Sequence, residues 1–439
     1  MSPCIVCYRK NTEYRWCKGC NAAHFQQDFE NWTSGSNDID KFIQNTQLLA
    51  NNSEEVLEWL PYDKFYNIEF IAKGGYGKVY KANWTDGFIT NWNDKTKSWK
   101  RICQNKEVAL KSLNNSKNVT LEFLNEITLH HKIEDNFSIT RLYGITQNPE
   151  TKNYIMVLDY ADYGSLRNYL DTYYKELSWY TKFHDLWRIA YGLKKIHGKE
   201  LIHRDLHIGN ILRFFNSTSI TDMGLCKPAD YSKLDDTNNA IYGVLPYIAP
   251  EILRGQKYTK AADVYSFGII MYEVISGLRP YHYVKHDKNL AMKICLGLRP
   301  RFNIKVPQLI VQLIKRCLDA NLLNRPKMGE VEFTLYQWWN WFDNQFELKK
   351  QINEAEEINN NLSTNSTILS TNLSYETHSE AIYTSRLFKF NDLPEPKNSD
   401  DFYKHYDNIT STEFSESLQI DVSQLKMSDN VSMSKSIII

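Results

Sequence analysis

Two short polar motifs, each held between apolar residues, constrain this 439-residue chain more than any other feature. The first is Ile202-His203-Arg204-Asp205-Leu206-His207-Ile208-Gly209-Asn210-Ile211-Leu212. The second, Ile220-Thr221-Asp222-Met223-Gly224, sets another carboxylate 17 residues after Asp205, at the end of an apolar run and before a glycine turn. An Asp and an Asn five residues apart between apolar anchors suit a proton acceptor beside a metal ligand. Hard cations such as Mg2+ prefer such oxygen ligands, with phosphate and water filling the other positions. Chance is a poor explanation for the pair.

Two motifs upstream fit the same chemistry. Ile71-Ala72-Lys73-Gly74-Gly75-Tyr76-Gly77-Lys78-Val79 lies between two apparent strands. Its glycines let backbone N–H groups approach phosphate oxygens without a blocking side chain. Val108-Ala109-Leu110-Lys111 ends an apolar strand on one ammonium, which needs a partner because burying it unpaired is costly. Glu126, in the helical-looking run Phe123-Leu124-Asn125-Glu126-Ile127, is that partner by expectation.

In this order, and followed by Ala249-Pro250-Glu251, the motifs resemble those of eukaryotic protein kinases. Asp263-Val264-Tyr265-Ser266-Phe267-Gly268 and Arg325-Pro326 extend the resemblance, which covers about residues 65–341. The wording Val79-Tyr80-Lys81-Ala82 and Asp263–Gly268 is similar to the tyrosine-kinase-like branch, whose members mostly phosphorylate Ser and Thr. The resemblance implies an α+β, two-lobed fold with a β-rich N-lobe and a helical C-lobe. A strand-rich pattern through Asp159 and a helix-rich one after it agree with this.

The resemblance also implies roles. Ile71, Ala72, Gly74, Gly77, Val79, Ala109 and Leu212 would surround the ATP, with Leu158 as gatekeeper and Asp159–Ala161 as hinge. Lys111 would hold the α- and β-phosphates, positioned by Glu126; Asp205 would take the acceptor's proton; Asn210 and Asp222 would hold Mg2+. Glu251 would pair with Arg325, and Asp263 would support the catalytic loop's backbone. Tyr231, Ser232, Thr237 and Tyr242 fall in the activation segment, and Arg204 resembles the Arg that pairs with a phosphate there, which implies an upstream kinase. The implied partners are proteins bearing hydroxyl acceptors.

Four positions depart from the family pattern. Ala72 replaces the first loop glycine, and Met223 replaces the usual Phe as an apolar filler. His207 stands where Ser/Thr kinases usually carry a Lys that touches the γ-phosphate, and Val244 where they carry a Thr that contacts the catalytic Asp. These two leave a tyrosine or dual-specificity kinase, and an ATP-binding pseudokinase scaffold, as alternatives to a Ser/Thr kinase. The long stretch Trp84–Glu107, with Trp92 and Trp99, reads as an extended hairpin with a structural role.

Cys4-x-x-Cys7 and Cys17-x-x-Cys20 form two tight pairs with the spacing of a structural zinc site, which Trp16 and Tyr14 would cover and for which His24 would compete. Residues 1–30 are therefore expected to be a small zinc-binding segment, the other four cysteines being packing residues. Such an element could itself be the effector that the kinase regulates. Apolar residues at Ile39, Phe42, Ile43, Val56, Leu57, Trp59 and Leu60 predict one or two short helices, in a linker over 31–64 that packs on the kinase.

The balance of 52 basic and 52 acidic residues argues against nucleic acid or an anionic membrane as partner. No apolar run approaches the ~18 residues of a membrane span, and Phe267–Met271 reads as a buried helix. The N-terminus lacks a signal-peptide pattern, so the cytosol, with the nucleus as a second compartment, is the expected location. Residues 342–439, dense in Asn, Ser and Thr from Gln351 to Asn372, are expected to be a mostly disordered tail.

Overall fold

The computed structural model describes residues 3–73, 77–113, 121–133, 137–229, 241–365 and 376–398. Gly74 of the glycine loop, Tyr231, Ser232 and Thr237 of the activation segment, and the tail beyond 398 lie outside them.

Before residue 160 the chain builds helices α1 (Lys18–Asp28), α2 (Asn37–Leu49) and α3 (Leu121–Lys132) around strands β1 (Glu58–Trp59), β2 (Phe65–Lys73), β3 (Gly77–Trp84), β4 (Phe88–Asn93), β5 (Ser98–Ile102), β6 (Lys106–Leu113), β7 (Leu142–Gln147) and β8 (Tyr154–Asp159). Six of these form one sheet in the order β1-β7-β8-β6-β3-β2. Successive strand residues point to opposite faces. Val108, Leu110, Ile155 and Val157 accordingly pack with Trp84 on one face, and Ala109, Met156 and Leu158 pack on the other. The second face is covered by Phe123 and Ile127 of α3 and by Ile39 and Ile43 of α2.

The second half of the 38–60 pattern is not helical. It forms β1, parallel to β7, with Glu58 opposite Gly144. The approach is so close that a Cβ on Gly144 would stand 2.0 Å from the Glu58 carbonyl oxygen.

The larger lobe is mainly helical: α4 (Leu166–Tyr173), α5 (Trp179–Gly198), α6 (Pro250–Leu253), α7 (Lys260–Ser276), α8 (Lys288–Cys295), α9 (Gln308–Cys317) and α10 (Met328–Asn340). The short strands β9 (Leu201–Ile202), β10 (Ile211–Arg213), β11 (Thr218–Ile220), β12 (Lys227–Pro228) and β13 (Ile241–Gly243) frame the cleft between the lobes. Helix α7 carries Phe267–Met271 and is apolar on nearly every side, so it lies buried in the middle of the lobe. Thr259 caps its N-terminus by accepting from the Ala262 N–H, and Gly277, at φ 73°, ends it in the left-handed conformation.

The expected disorder does not extend through all of residues 342–398. Helix α11 (Phe346–Asn365) follows, and after residue 376 an extended stretch containing strand β14 (Arg386–Phe388) crosses the larger lobe. Composition misleads here because much of the polar content is used as hydrogen-bonding groups. Leu348, Ile352 and Ala355 bury one stripe of α11, while Gln351 accepts from the Leu309 N–H at 3.1 Å. Asn359 exchanges two hydrogen bonds with the Lys305 backbone, at 2.8 and 2.9 Å.

Candidate active site

Lys111 ends the buried face of β6 beside its neighbour β8, and α3 lies across that sheet face. Its Nζ donates to Glu126 Oε1 at 2.6 Å and to Asp222 Oδ1 at 3.1 Å, joining the two lobes through one ammonium. Burial alone would lower the Lys111 pKa, but the two carboxylates override it and hold the group above its ordinary value. Burial also pushes Glu126 up, against the pull of Lys111. At Asp222 the same burial is outweighed by Lys111, which holds the carboxyl below its usual range.

The loop bearing Asp205 is fixed by its backbone. Asp263, from buried α7, accepts from the N–H groups of His203 and Arg204 at 2.8 and 3.0 Å and meets His197 Nε2 at 2.9 Å. Arg204 and Asp222 both take left-handed backbone conformations, at φ 72° and 63°. Asn210 donates from Nδ2 to the Asp205 carbonyl at 2.9 Å, so its amide oxygen is the end left to accept or to ligate.

His207 accepts from the Gly209 N–H through Nδ1 at 3.1 Å, which assigns the ring proton to Nε2. Burial holds its pKa below the ordinary histidine value, with Asp205 pulling the other way, which favours the uncharged ring. The position therefore supplies a hydrogen bond rather than a charge. Val244 is buried among Leu206, Tyr247 and Ala249 and offers Asp205 no hydroxyl.

A kinase family model described as "protein tyrosine and serine/threonine kinase" matches residues 66–335. This chain belongs to that protein kinase family. A Dictyostelium discoideum protein named as a probable LIM domain-containing serine/threonine-protein kinase is 30% identical over 273 residues, which is 61% of this chain and 38% of that protein. Cysteine-rich receptor-like protein kinase 6 of Oryza sativa is 33% identical over 223 residues, covering 49% of this chain and 29% of its own length. The chain thus spans well under half of the length of these relatives.

Several of the residues singled out in the sequence lie on adjacent elements. Ala109 and Leu158 are buried side by side in paired strands, Val79 and Leu212 are half-buried, and Ile71 is exposed at the tip of β2 next to Ala72. Gly77 opens β3. Asp159 accepts from the Tyr143 hydroxyl at 2.7 Å, and Ala161 is buried just beyond it.

The cleft holds one residue the motifs do not reveal, Ser385. Its Oγ lies 2.8 and 3.0 Å from the two Asp205 carboxylate oxygens and 3.2 Å from His207 Nε2. The one hint in the sequence is a cluster of apolar residues (Ile382, Leu387, Phe388, Phe390) inside a polar tail.

A second cluster lies at the N-terminus. The Sγ atoms of Cys4, Cys7, Cys17 and Cys20 all lie within 4.8 Å of one another, with Cys4–Cys20 at 3.8 Å and Cys7–Cys17 at 3.6 Å. A tetrahedron with metal–sulfur bonds of about 2.3 Å has sulfur–sulfur edges of about 3.8 Å, so the thiols fit that geometry. His24 is not part of this group. Its ring stacks on Trp92 of β4 at 4.0 Å. Trp16 is buried, whereas Tyr14 is exposed. Phe25 stacks on Trp99 of β5 at 4.1 Å, so the extended hairpin is the platform on which the cysteine segment sits.

Proposed function

We propose that this chain is an ATP-dependent protein kinase of the tyrosine-kinase-like branch that transfers the γ-phosphate to Ser and Thr hydroxyls. The observation that carries the reading is the pairing of Lys111 with both Glu126 and Asp222. Kinase chemistry needs that ion pair and the metal-binding Asp in place together.

In this reading Lys111 binds the α- and β-phosphates and Glu126 keeps its ammonium oriented. Ile71, Val79, Ala109 and Leu212 enclose the adenine, and Ala72 belongs to the loop that carries Gly74 and Gly77. Leu158 is the gatekeeper, and the Asp159–Ala161 backbone is the hinge. Asn210 and Asp222 would hold Mg2+, whose charge offsets that of the phosphate oxygens when it is bound. The orientation of the Asn210 amide supports this, since its nitrogen is committed to Asp205. Asp205 receives the proton of the attacking hydroxyl. Phosphorylation of the activation segment by an upstream kinase belongs to the same reading.

The test is transfer of labelled γ-phosphate by the full chain to a protein acceptor, beside an Asp205→Asn variant. Label on phosphoserine and phosphothreonine is the expected product. Label on phosphotyrosine alone would reassign the acceptor.

The four cysteines are proposed to hold one structural Zn2+, supported by their mutual spacing. Metal analysis should then find about one zinc per chain. Stripping it with a chelator should shift the emission of Trp16, Trp92 and Trp99, which the cysteine segment and the hairpin pack together. A zinc-free protein with unaltered emission would refute the site.

A further inference from the structure

We propose that the kinase phosphorylates its own tail at Ser385, the stretch 376–398 being bound as a peptide substrate; this rests on the kinase reading above. Three independent features of that stretch carry the inference.

The first is strand addition. Strand β14 pairs antiparallel with β13 beside the catalytic loop, Gly243 opposite Arg386, Tyr242 opposite Leu387 and Ile241 opposite Phe388. Adding an extended peptide to a sheet edge gives affinity through main-chain hydrogen bonds and specificity through alternate side chains. Here Phe388 is buried in the core of the larger lobe, while its neighbour Leu387 is exposed.

The second is anchoring on both sides of the serine. On the N-terminal side the Tyr383 hydroxyl donates to the Pro280 carbonyl at 2.9 Å, and His286 Nδ1 meets the Ile382 carbonyl at 2.9 Å. On the C-terminal side Arg254 forms an ion pair with Glu395, with Nη1–Oε2 at 2.7 Å, and donates from Nε to the Leu393 carbonyl. Ser385 is therefore not a loose hydroxyl that happens to lie near a carboxylate.

The third is the register. Of the neighbouring hydroxyls Ser379, Tyr383, Thr384 and Ser385, it is Ser385 whose Oγ contacts both oxygens of Asp205. A hydroxyl hydrogen-bonded to the proton acceptor is the arrangement that general-base chemistry requires. His207, with its proton on Nε2, has the same oxygen within 3.2 Å. With no threonine at Val244 to occupy Asp205, the acceptor itself takes that place.

The step balances with ATP as the phosphate donor. A bond forms between Ser385 Oγ and the γ-phosphorus, the bond from that phosphorus to the β–γ bridging oxygen breaks, and ADP leaves. The hydroxyl proton passes to Asp205. Once Asp205 has passed that proton on to solvent, the product sets a phosphoserine dianion against its carboxylate, and this like-charge contact favours release of the tail and opening of the groove to other acceptors.

The test is site-mapped phosphorylation of the full chain with Mg2+ and ATP, in the presence of a protein acceptor and over a tenfold dilution series. Phosphate on Ser385, formed with a rate constant independent of dilution and absent in Asp205→Asn, is expected. In Ser385→Ala the tail signal should vanish rather than move to Thr384. A labelled acceptor with Ser385 unmodified would overturn this inference and leave the kinase reading intact. Failure to label either would overturn both. A rate that falls in proportion to dilution would refute transfer within one chain.

Discussion

Replacing Lys111 with Met should lower kcat/KM by about 10²–10³-fold, the scale on which removal of one preorganised charge-stabilising donor is felt. The expectation follows from what the ammonium does in the structure. It sits 2.6 Å from Glu126 and 3.1 Å from Asp222 and offsets the charge of both carboxylates. A thioether leaves two like charges facing one another in a buried site. Glu126, already raised by burial, then loses the opposing pull of Lys111, and α3 loses its tether to β6. The loss should appear both as weaker ATP binding and as a lower kcat, because Lys111 touches phosphate and also orders the helix. Steady-state kinetics with nucleotide titration checks this. A variant with unchanged kcat/KM would mean that the Lys111 cluster is a structural ion pair only.

The largest expected effect on stability lies away from the cleft. Arg325 and Glu251 form a two-pronged pair, with both N–O distances 2.7 Å and both side chains almost wholly buried. Arg325 also donates to the carbonyls of Asp319 and Ala261 at 2.8 and 2.9 Å. Glu251→Gln keeps the shape but leaves a guanidinium charge in the core with no opposing charge. Removing one partner of a buried pair costs about 3–5 kcal/mol. For a domain of this size that is a fall in melting temperature of roughly 10 °C. The double variant Glu251→Leu with Arg325→Met should recover a good part of the loss, since an apolar pair leaves no charge to solvate. Thermal melts of the three variants test this, and a double variant no more stable than Glu251→Gln would argue against the charge-burial explanation.

What the sequence made legible was local. Lys111, Asp205, Asn210, Asp222, Glu251 and Asp263 each sit in a short word with a distinctive neighbourhood, so the cleft could be assembled from words in order. Trp92 and Trp99 marked a hairpin for the same reason. Its partner did not show, because the contact with Phe25 and His24 joins segments about 70 residues apart and no local pattern records it. The helix over Phe346–Asn365 was obscured by its own composition: Asn, Gln and Glu there serve as hydrogen-bonding groups for loops of the larger lobe, a role that polarity alone reads as solvation. Ser385 was the least legible. It lies 180 residues from Asp205, and its position depends on a strand pairing that only the folded groove creates.

The central claim is that this cleft transfers phosphate, with Asp205 as the proton acceptor. Its backbone is fixed by Asp263 and Asn210, so Asp205→Asn should fold and bind ATP as the parent does while lacking a carboxylate to take the proton. The most direct measurement is the initial rate of labelled γ-phosphate transfer by the two full-length proteins side by side, with matched melts and matched ATP affinity. The account predicts transfer by the parent and a rate lower by about 10²–10⁴-fold in the variant. Equal rates, or no transfer by the parent, would contradict it.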